Sequence, residues 1–235
     1  MEKCTAIVLA AGQGSRMGTK VQKQYLEIQG KPVLYYSLEA FETSEIINEV
    51  ILVVGAGQEE YCKQEIVEKY QFHKVSKIIP GGKERYESVY LGLAALQENG
   101  VDYVFIHDGA RPFVDEEMLS RAYNAVKDCK ACVVGMPSKD TIKVVDTNNV
   151  VVETPDRTYL WQVQTPQVFD YALIKDAYFE LMKRDEIRVT DDAMVLELIK
   201  GMPVKLVEGS YENIKITTPE DLYVAEAFLK KRKNI

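Results

Sequence analysis

Residues 6–24, AIVLAAGQGSRMGTKVQKQ, decide the fold. The apolar run from Ala6 to Ala11 reads as a buried strand. It breaks into a stretch holding Gly12, Gly14 and Gly18, with Arg16, Lys20 and Lys23 among them. In an open α/β sheet, ligands bind beyond the carboxyl ends of the strands. Glycines let backbone N–H groups approach a polyphosphate, and basic side chains add the charge that a peptide N–H lacks. The stretch therefore predicts a loop for a nucleoside triphosphate at one rim of a sheet.

Outward from this loop, strands and helices alternate. EVILVVG (49–55), KVSKII (74–79), residues 103–107 and ACVVGMP (131–137) are apolar runs suited to strands covered on both faces. Helical spacing fills the intervals at 32–41, where Pro32 suits a first turn, and at 58–70, 84–96 and 115–127. This order predicts a doubly wound three-layer α/β fold, Rossmann-like, around a mostly parallel sheet with right-handed crossovers. The polar loops 12–24, 80–88 and 107–112 each follow a strand's carboxyl end and share one rim.

The rhythm breaks at 138. SKDTIKVVDTNNVVVETPDRTYLWQVQ alternates about Asn148-Asn149, a hairpin signature. Its valines find no obvious helix to pack on, which predicts an arm at about 138–160 that joins a homodimer. Tyr159 and Trp161 are expected to pack this arm on the body. Helices at 170–184 and 191–200 and a strand at 203–209 follow. Thr218-Pro219-Glu220-Asp221 then starts a last helix ending in a basic tail. With no repeats or linkers, residues 1–235 read as a single domain carrying an arm.

The 235-residue chain is 46% hydrophobic and 28% charged, with a net charge of −7. That balance excludes general nucleic-acid binding, which needs a basic face. Positive charge is gathered locally: residues 1–31 carry Lys3, Arg16, Lys20, Lys23 and Lys31 against Glu2 and Glu27. Cys129 and Cys132 have C-x-x-C spacing without a second pair, so Cys132 reads as a buried thiol rather than a zinc ligand. A strand pattern directly at the N-terminus and the lack of a membrane-length apolar run predict a cytoplasmic protein with reduced thiols.

The glycines match neither familiar phosphate motif. A dinucleotide fingerprint needs G-x-G-x-x-G, and here the third glycine comes one residue late; a P-loop needs Gly-Lys-Ser/Thr, and Gly18 is followed by Thr-Lys. A-A-G-x-G-x-R-M-G with a lysine soon after is the pattern of nucleotidyltransferases, in which the α-phosphorus is attacked and pyrophosphate leaves. Such chemistry needs positioning and fixed cations more than a nucleophile or base. No Ser-His-Asp set or Gly-x-Ser-x-Gly elbow is visible, His73 and His107 form no local ligand motif, and His73 reads as structural or solvated. Asp108, at the end of an apolar strand, is the candidate Mg²⁺ ligand, since one carboxylate plus substrate phosphates commonly holds that ion; a turn-capping Asp before Gly109 is the other reading.

Seven blocks then carry a resemblance: AAGQGSRMG with KQYL, PGGKERYESV, HDGARPF, KDTIK, DRTYLWQVQTPQVF, VTDDA and EGSYENIKITTPEDL. Spread over the whole chain, they resemble the 2-C-methyl-D-erythritol 4-phosphate cytidylyltransferases, the CTP-dependent enzymes of the non-mevalonate isoprenoid pathway. The resemblance implies CMP transfer from CTP to methylerythritol phosphate with Mg²⁺, releasing pyrophosphate. It implies Arg16 and Lys23 as catalytic cations. Nucleotide contacts fall on Ala10, Ala11, Gly12, Gly14, Gly82 and Ser88, with Asp108 toward the metal. Contacts to the polyol phosphate fall on Arg111, Thr141, Arg157 and Lys215, with the arm reaching into a partner's site. Lys83 stands where relatives often carry an acid. On the residues alone, Arg157 beside Asp156 also reads as a surface ion pair, and Lys215 in the strand-like NIKIT as a solvated edge residue. Two rivals stay open: a ribitol-5-phosphate cytidylyltransferase, disfavoured by Ala10-Ala11-Gly12, DGARP and DRTYLW, and a non-catalytic nucleotide-binding regulator on the same fold.

Overall fold

A computed structural model describes residues 2–12, 22–96 and 100–233. The expected contacts at Gly14 and Arg16, and Gly18 and Lys20 beside them, lie outside the described residues.

The first strand, β1 (Cys4–Ala10), sits near the middle of a seven-stranded sheet. In chain order it is followed by a two-strand ribbon, β2 (Glu27–Ile28) with β3 (Lys31–Pro32), and by α1 (Val33–Thr43). Next come β4 (Ile47–Val54), a helix α2 (Glu59–Cys62) that continues as a π-helical stretch over Lys63–Glu68, β5 (Val75–Pro80) and α3 (Arg85–Ala95). The chain goes on through β6 (Tyr103–Asp108), α4 (Glu116–Cys129) and β7 (Ala131–Pro137), and then the hairpin β8 (Val144–Val145) with β9 (Val151–Glu153). It finishes with β10 (Trp161–Asp170), α5 (Tyr171–Leu181), α6 (Asp192–Lys200), β11 (Lys205–Glu208) and α7 (Pro219–Lys233).

The sheet order is β11-β7-β10-β6-β1-β4-β5. Every neighbouring pair is parallel except those of β10, which runs antiparallel to both β6 and β7. The period of two in the strands sorts the core into two layers. Ala6, Val8, Val50, Leu52, Phe105 and Val134 face α1 and α4, whereas Ile7, Ile51, Val53, Ile106 and Val133 face α3, α5 and α6. Both faces are covered, which is why these strands read as unbroken apolar runs. α7 closes a third cluster, where Ala225 and Leu229 meet Ile28, Val33 and Phe113.

Strand β10 corrects the sequence reading. Its inner half pairs with both β6 and β7 from Gln167 to Phe169 in the middle of the sheet, although the sequence placed only the arm and then a helix there. The polar run Gln164-Thr165-Pro166-Gln167 hides it, because a proline ordinarily argues against a central strand. The proline is tolerated because the β7 ladder shifts between Val163 and Gln167, at the cis Thr165-Pro166 bond. NIKIT is likewise not a strand: Asn213–Thr217 is irregular, held to the neighbouring loop by the Ile216 N–H donating to the Ala110 carbonyl (2.8 Å).

The arm forms its own two-stranded sheet and turns through Asn149, whose φ is +62°. Val144, Val145, Val150, Val151 and Val152 are all exposed. Tyr159 does not pack on the body as expected: it is 82% exposed, at the end of a short 3-10 turn, Arg157–Tyr159, none of whose residues is buried. Trp161 is partly covered, with its ring near Gly135.

Candidate active site

Parallel strands put the carboxyl ends of β1, β5 and β6 on one rim, and the cleft lies there. At the end of β1, Ala11 packs against the turn after β5. A Cβ on Gly81 would lie 2.6 Å from the Ala11 Cβ and 2.7 Å from the Ser88 Oγ, so only glycine allows the two loops to touch. The Gly82 N–H donates to Ser88 Oγ (3.1 Å), and Glu87 accepts from the N–H groups of Lys83 (2.6 Å) and Glu84 (3.1 Å). The latter bond belongs to a capping box that starts α3, so the helix start and the glycine turn are built together.

The third side is a short 3-10 turn, Lys23–Tyr25, which brings Lys23 to the cleft beside Ala10, Ala11 and Gly12. From the same turn, Gln24 donates its side-chain amide to the carbonyls of Ala10 and Gly12.

Asp108 ends β6 at the floor of the cleft, 8% exposed. The Lys215 ammonium donates to its Oδ2 (2.7 Å) and the Arg85 Nε to its Oδ1 (3.2 Å). Burial alone would raise this carboxyl's pKa, but the Arg85 and Lys215 charges outweigh it and hold the group well below the usual carboxylate range. Arg85 in turn forks onto the fully buried Asp192, with two bonds of 2.8 Å. Asp192 also accepts from the Tyr178 hydroxyl, and its backbone N–H, like that of Ala193, donates to Gln167 Oε1 (2.9 Å each). Burial opposes the Arg85 charge, yet Asp192 and Asp108 carry its pKa well above the ordinary value.

A second chain runs behind Asp108. The fully buried His107 has its Nε2 3.1 Å from the Arg111 carbonyl, which can only accept, so Nε2 carries the proton. Burial pushes the ring's pKa down to about 4, so it is neutral at pH 7 and Nδ1 is an acceptor. The Thr165 hydroxyl therefore donates to Nδ1 (3.0 Å) and accepts the Asp108 N–H (3.1 Å). Arg111 donates from Nη1 to the Asn213 carbonyl (2.8 Å), while its buried Nε has no hydrogen-bond partner among the described residues. An unsatisfied guanidinium donor of this kind suits a phosphate oxygen.

Of the expected site residues, Ala10, Ala11, Gly12, Lys23, Gly82, Ser88, Asp108 and Lys215 line one cleft. Arg111 lines an adjoining one with Asp108 and Lys215. Thr141 and Arg157 are not brought there; both are exposed at the base of the arm, where Arg157 donates to the Lys139 carbonyl (3.0 Å). The Arg157–Asp156 ion pair is replaced by a cap, Asp156 accepting the Thr158 N–H. Sequence reasoning passed over Arg85, Gln24, Thr165, Gln167 and Asp192, and it left His107 without a role. Asp191-Asp192 before a helix looks like ordinary capping, which Asp191 indeed provides to Met194. Only the sheet order shows that Asp192 reaches residues as distant in sequence as Arg85.

The described residues hold no cluster of three His, Cys, Asp or Glu able to bind a metal by themselves. Asp108, with lone pairs left on both oxygens, fits a magnesium ion that takes its other ligands from phosphates and water. Arg85 and Lys215 would oppose a divalent cation unless a triphosphate arrived with it.

Comparison with known proteins finds likeness along nearly the whole chain. The family described as 2-C-methyl-D-erythritol 4-phosphate cytidylyltransferase matches residues 4–231. A protein of that name from Lachnospira eligens is 51% identical over 227 residues, 96% of this chain and 99% of its own length. One from Lachnoclostridium phytofermentans is 47% identical over 234 residues, 100% of this chain and 99% of its own. The crystal structure of 4-diphosphocytidyl-2C-methyl-D-erythritol synthase from Anaerococcus prevotii superposes with a TM-score of 0.85 at 37% identity, covering 97% of this chain and 96% of that one.

Proposed function

The chain belongs to the 2-C-methyl-D-erythritol 4-phosphate cytidylyltransferase family, and from that premise we propose how its residues divide the reaction. The enzyme is a CTP-dependent nucleotidyltransferase that transfers CMP from CTP to 2-C-methyl-D-erythritol 4-phosphate in isoprenoid biosynthesis. A phosphate oxygen of the acceptor forms a bond to the α-phosphorus. The bond from that phosphorus to the bridging oxygen breaks, and pyrophosphate leaves with the electron pair. The attacking group is already an anion, so no general base is required.

Ala10, Ala11 and Gly12 offer backbone N–H groups to the triphosphate, as does Gly14. Gly82 and Ser88 hold the pyrimidine edge by backbone and hydroxyl groups. Lys23 and Arg16 neutralise charge that builds on the α-phosphate and the leaving group. Asp108 holds magnesium with the phosphates; when bound, that ion screens the triphosphate charge. Arg111 and Lys215 face the acceptor phosphate, and Thr141 and Arg157 join them from the arm of a second copy. The whole chain acts as one unit in the cytoplasm, as a homodimer through the arm. The observation that supports this reading most is the convergence of Lys23, Asp108, Gly82 and Lys215 on one cleft from four separate segments.

Pyrophosphate release from CTP with methylerythritol phosphate tests it. Lys23→Ala is expected to lower kcat about 100- to 1,000-fold with the circular-dichroism spectrum unchanged. Wild-type rate in that variant removes the role from Lys23, and turnover of ribitol phosphate alone overturns the acceptor.

A further inference from the structure

Gln24 is 2% exposed, and its side chain reaches both Gly12 and Gln22. Its Nε2 is 2.6 Å from the Ala10 carbonyl, 3.2 Å from the Gly12 carbonyl and 2.6 Å from Gln22 Oε1. Three acceptor oxygens around one atom require the NH₂ group there, so the chemistry itself sets the amide's orientation. Two hydrogens serve three acceptors, and Gly12 receives the longest contact.

The turn carrying Gln24 is also held from its other side. The Tyr25 hydroxyl donates to Gln58 Oε1 (3.1 Å) and lies 3.0 Å from Cys62 Sγ, and the Val33 N–H closes on the Leu26 carbonyl (2.9 Å). Between these anchors stands Lys23, in the cleft. A lysine side chain has many rotamers and a point charge, so its effect on a reacting phosphate depends on where its backbone is held.

We propose that Gln24 is a positioning residue for the reaction, tying the turn that carries Lys23 to the end of β1 so that the cation and the Ala10–Gly12 backbone meet one triphosphate. The proposal rests on the reading of Lys23 as the cation that acts on that triphosphate. It explains why an amide is needed at this position. Leucine would fill the space with no donor, and a carboxylate would set a negative charge against three oxygens.

Gln24→Glu therefore makes the test. At about pH 8 the ionised carboxylate of this variant has no hydrogen to give; near pH 6, burial having raised its pKa above the ordinary ~4.3, the protonated form donates one. In the full-length protein, kcat for pyrophosphate release is expected to fall at least about 10-fold at the higher pH and to recover toward wild type at the lower. KM for the acceptor phosphate should stay within about 2-fold, since Gln24 bonds to Ala10, Gly12 and Gln22 and to none of the residues proposed for that phosphate. Gln24→Leu should lose the same activity at both pH values. The titratable groups lining the cleft among the described residues, Lys23, Lys83, Glu84, Arg85, Asp108 and Lys215, are present in all three proteins, as are Arg16 and Lys20 of the glycine-rich stretch. The difference between profiles therefore belongs to residue 24. A Gln24→Glu profile parallel to wild type, or wild-type kcat in Gln24→Leu, overturns the proposal. If either variant melts below the assay temperature, Gln24→Asn replaces it: the donor is kept but withdrawn by one methylene, so kcat should drop at every pH, and wild-type kcat again overturns the idea. Failure of the underlying reading looks different, because then Lys23→Ala itself would keep the wild-type rate of pyrophosphate release.

Discussion

The rim cleft and the hairpin arm contribute the two halves of the proposed substrate site, and they are stabilised in opposite ways. In the cleft, Asp108, Asp192 and His107 are buried and each is tied to named partners within the same chain. In the arm, Val150, Val151 and Val152 are 59%, 51% and 63% exposed, and Thr141 and Arg157 lie in the open. Buried charges must be paired where they stand, so the part of the cleft around Asp108 is built before any ligand arrives. Apolar residues on a short isolated hairpin gain nothing from one chain, so the acceptor half is suited to completion by a second copy.

The largest expected effect separates the two regions by stability. Asp192→Ala removes both 2.8 Å bonds to the Arg85 guanidinium, leaving it Asp108 alone, and removes the acceptor of the Tyr178 hydroxyl; it should cost roughly 3 kcal/mol or more in urea unfolding, as loss of one partner of a buried ion pair does. An unfolding midpoint unchanged from wild type would show that the cleft is not held by this pair.

The next effect is a pH dependence. In the unfolded chain His107 titrates near its ordinary value of about 6.5, whereas in the fold burial lowers it to about 4. Between those values the unfolded state binds a proton that the native state refuses. Its contribution to stability is therefore complete above about pH 6.5 and shrinks as pH falls toward 4, by roughly 3 kcal/mol in total. In His107→Gln, which keeps a donor for the Arg111 carbonyl but does not titrate, that share of the acid slope should vanish. An identical slope in both proteins would contradict the neutral buried ring.

The smallest effect on the chain's own stability belongs to the arm. Val152→Asp should change the unfolding free energy of one chain by no more than about 0.5 kcal/mol, as surface substitutions do. The same variant should shift sedimentation from dimer to monomer and lower the turnover of methylerythritol phosphate. A dimer of undiminished strength would remove the arm from the interface and erase the contrast drawn above.

Much of the cleft could be read from local sequence. Gly12, Gly82 and Lys23 are segment-level signals, since a glycine turn or a cationic loop needs only its immediate neighbours to be recognised. Asp108 was legible as a carboxylate emerging from an apolar strand. Its partners were not, because Arg85, Lys215 and Asp192 come from a helix start, an irregular loop and another helix start. Thr165 to Gln167 carried no strand signal for a related reason. Polar residues in a central strand are stable only when the site beside them supplies partners, as His107 does for Thr165 and the Asp192 N–H does for Gln167.

The sequence by itself determined the alternation of strands and helices, the rim on which the glycine loops gather, the hairpin, and the family. These follow from periodicity and short motifs, which act over a few residues. Only the tertiary structure decided that β10 runs backwards through the sheet. The same is true of the cations that hold Asp108, the inward-facing amide of Gln24, and the distance of Thr141 and Arg157 from their own chain's cleft. Each of these depends on contacts between residues distant in sequence, whose energy comes from removing charged and polar groups from water in pairs. No local pattern records which pairs those will be.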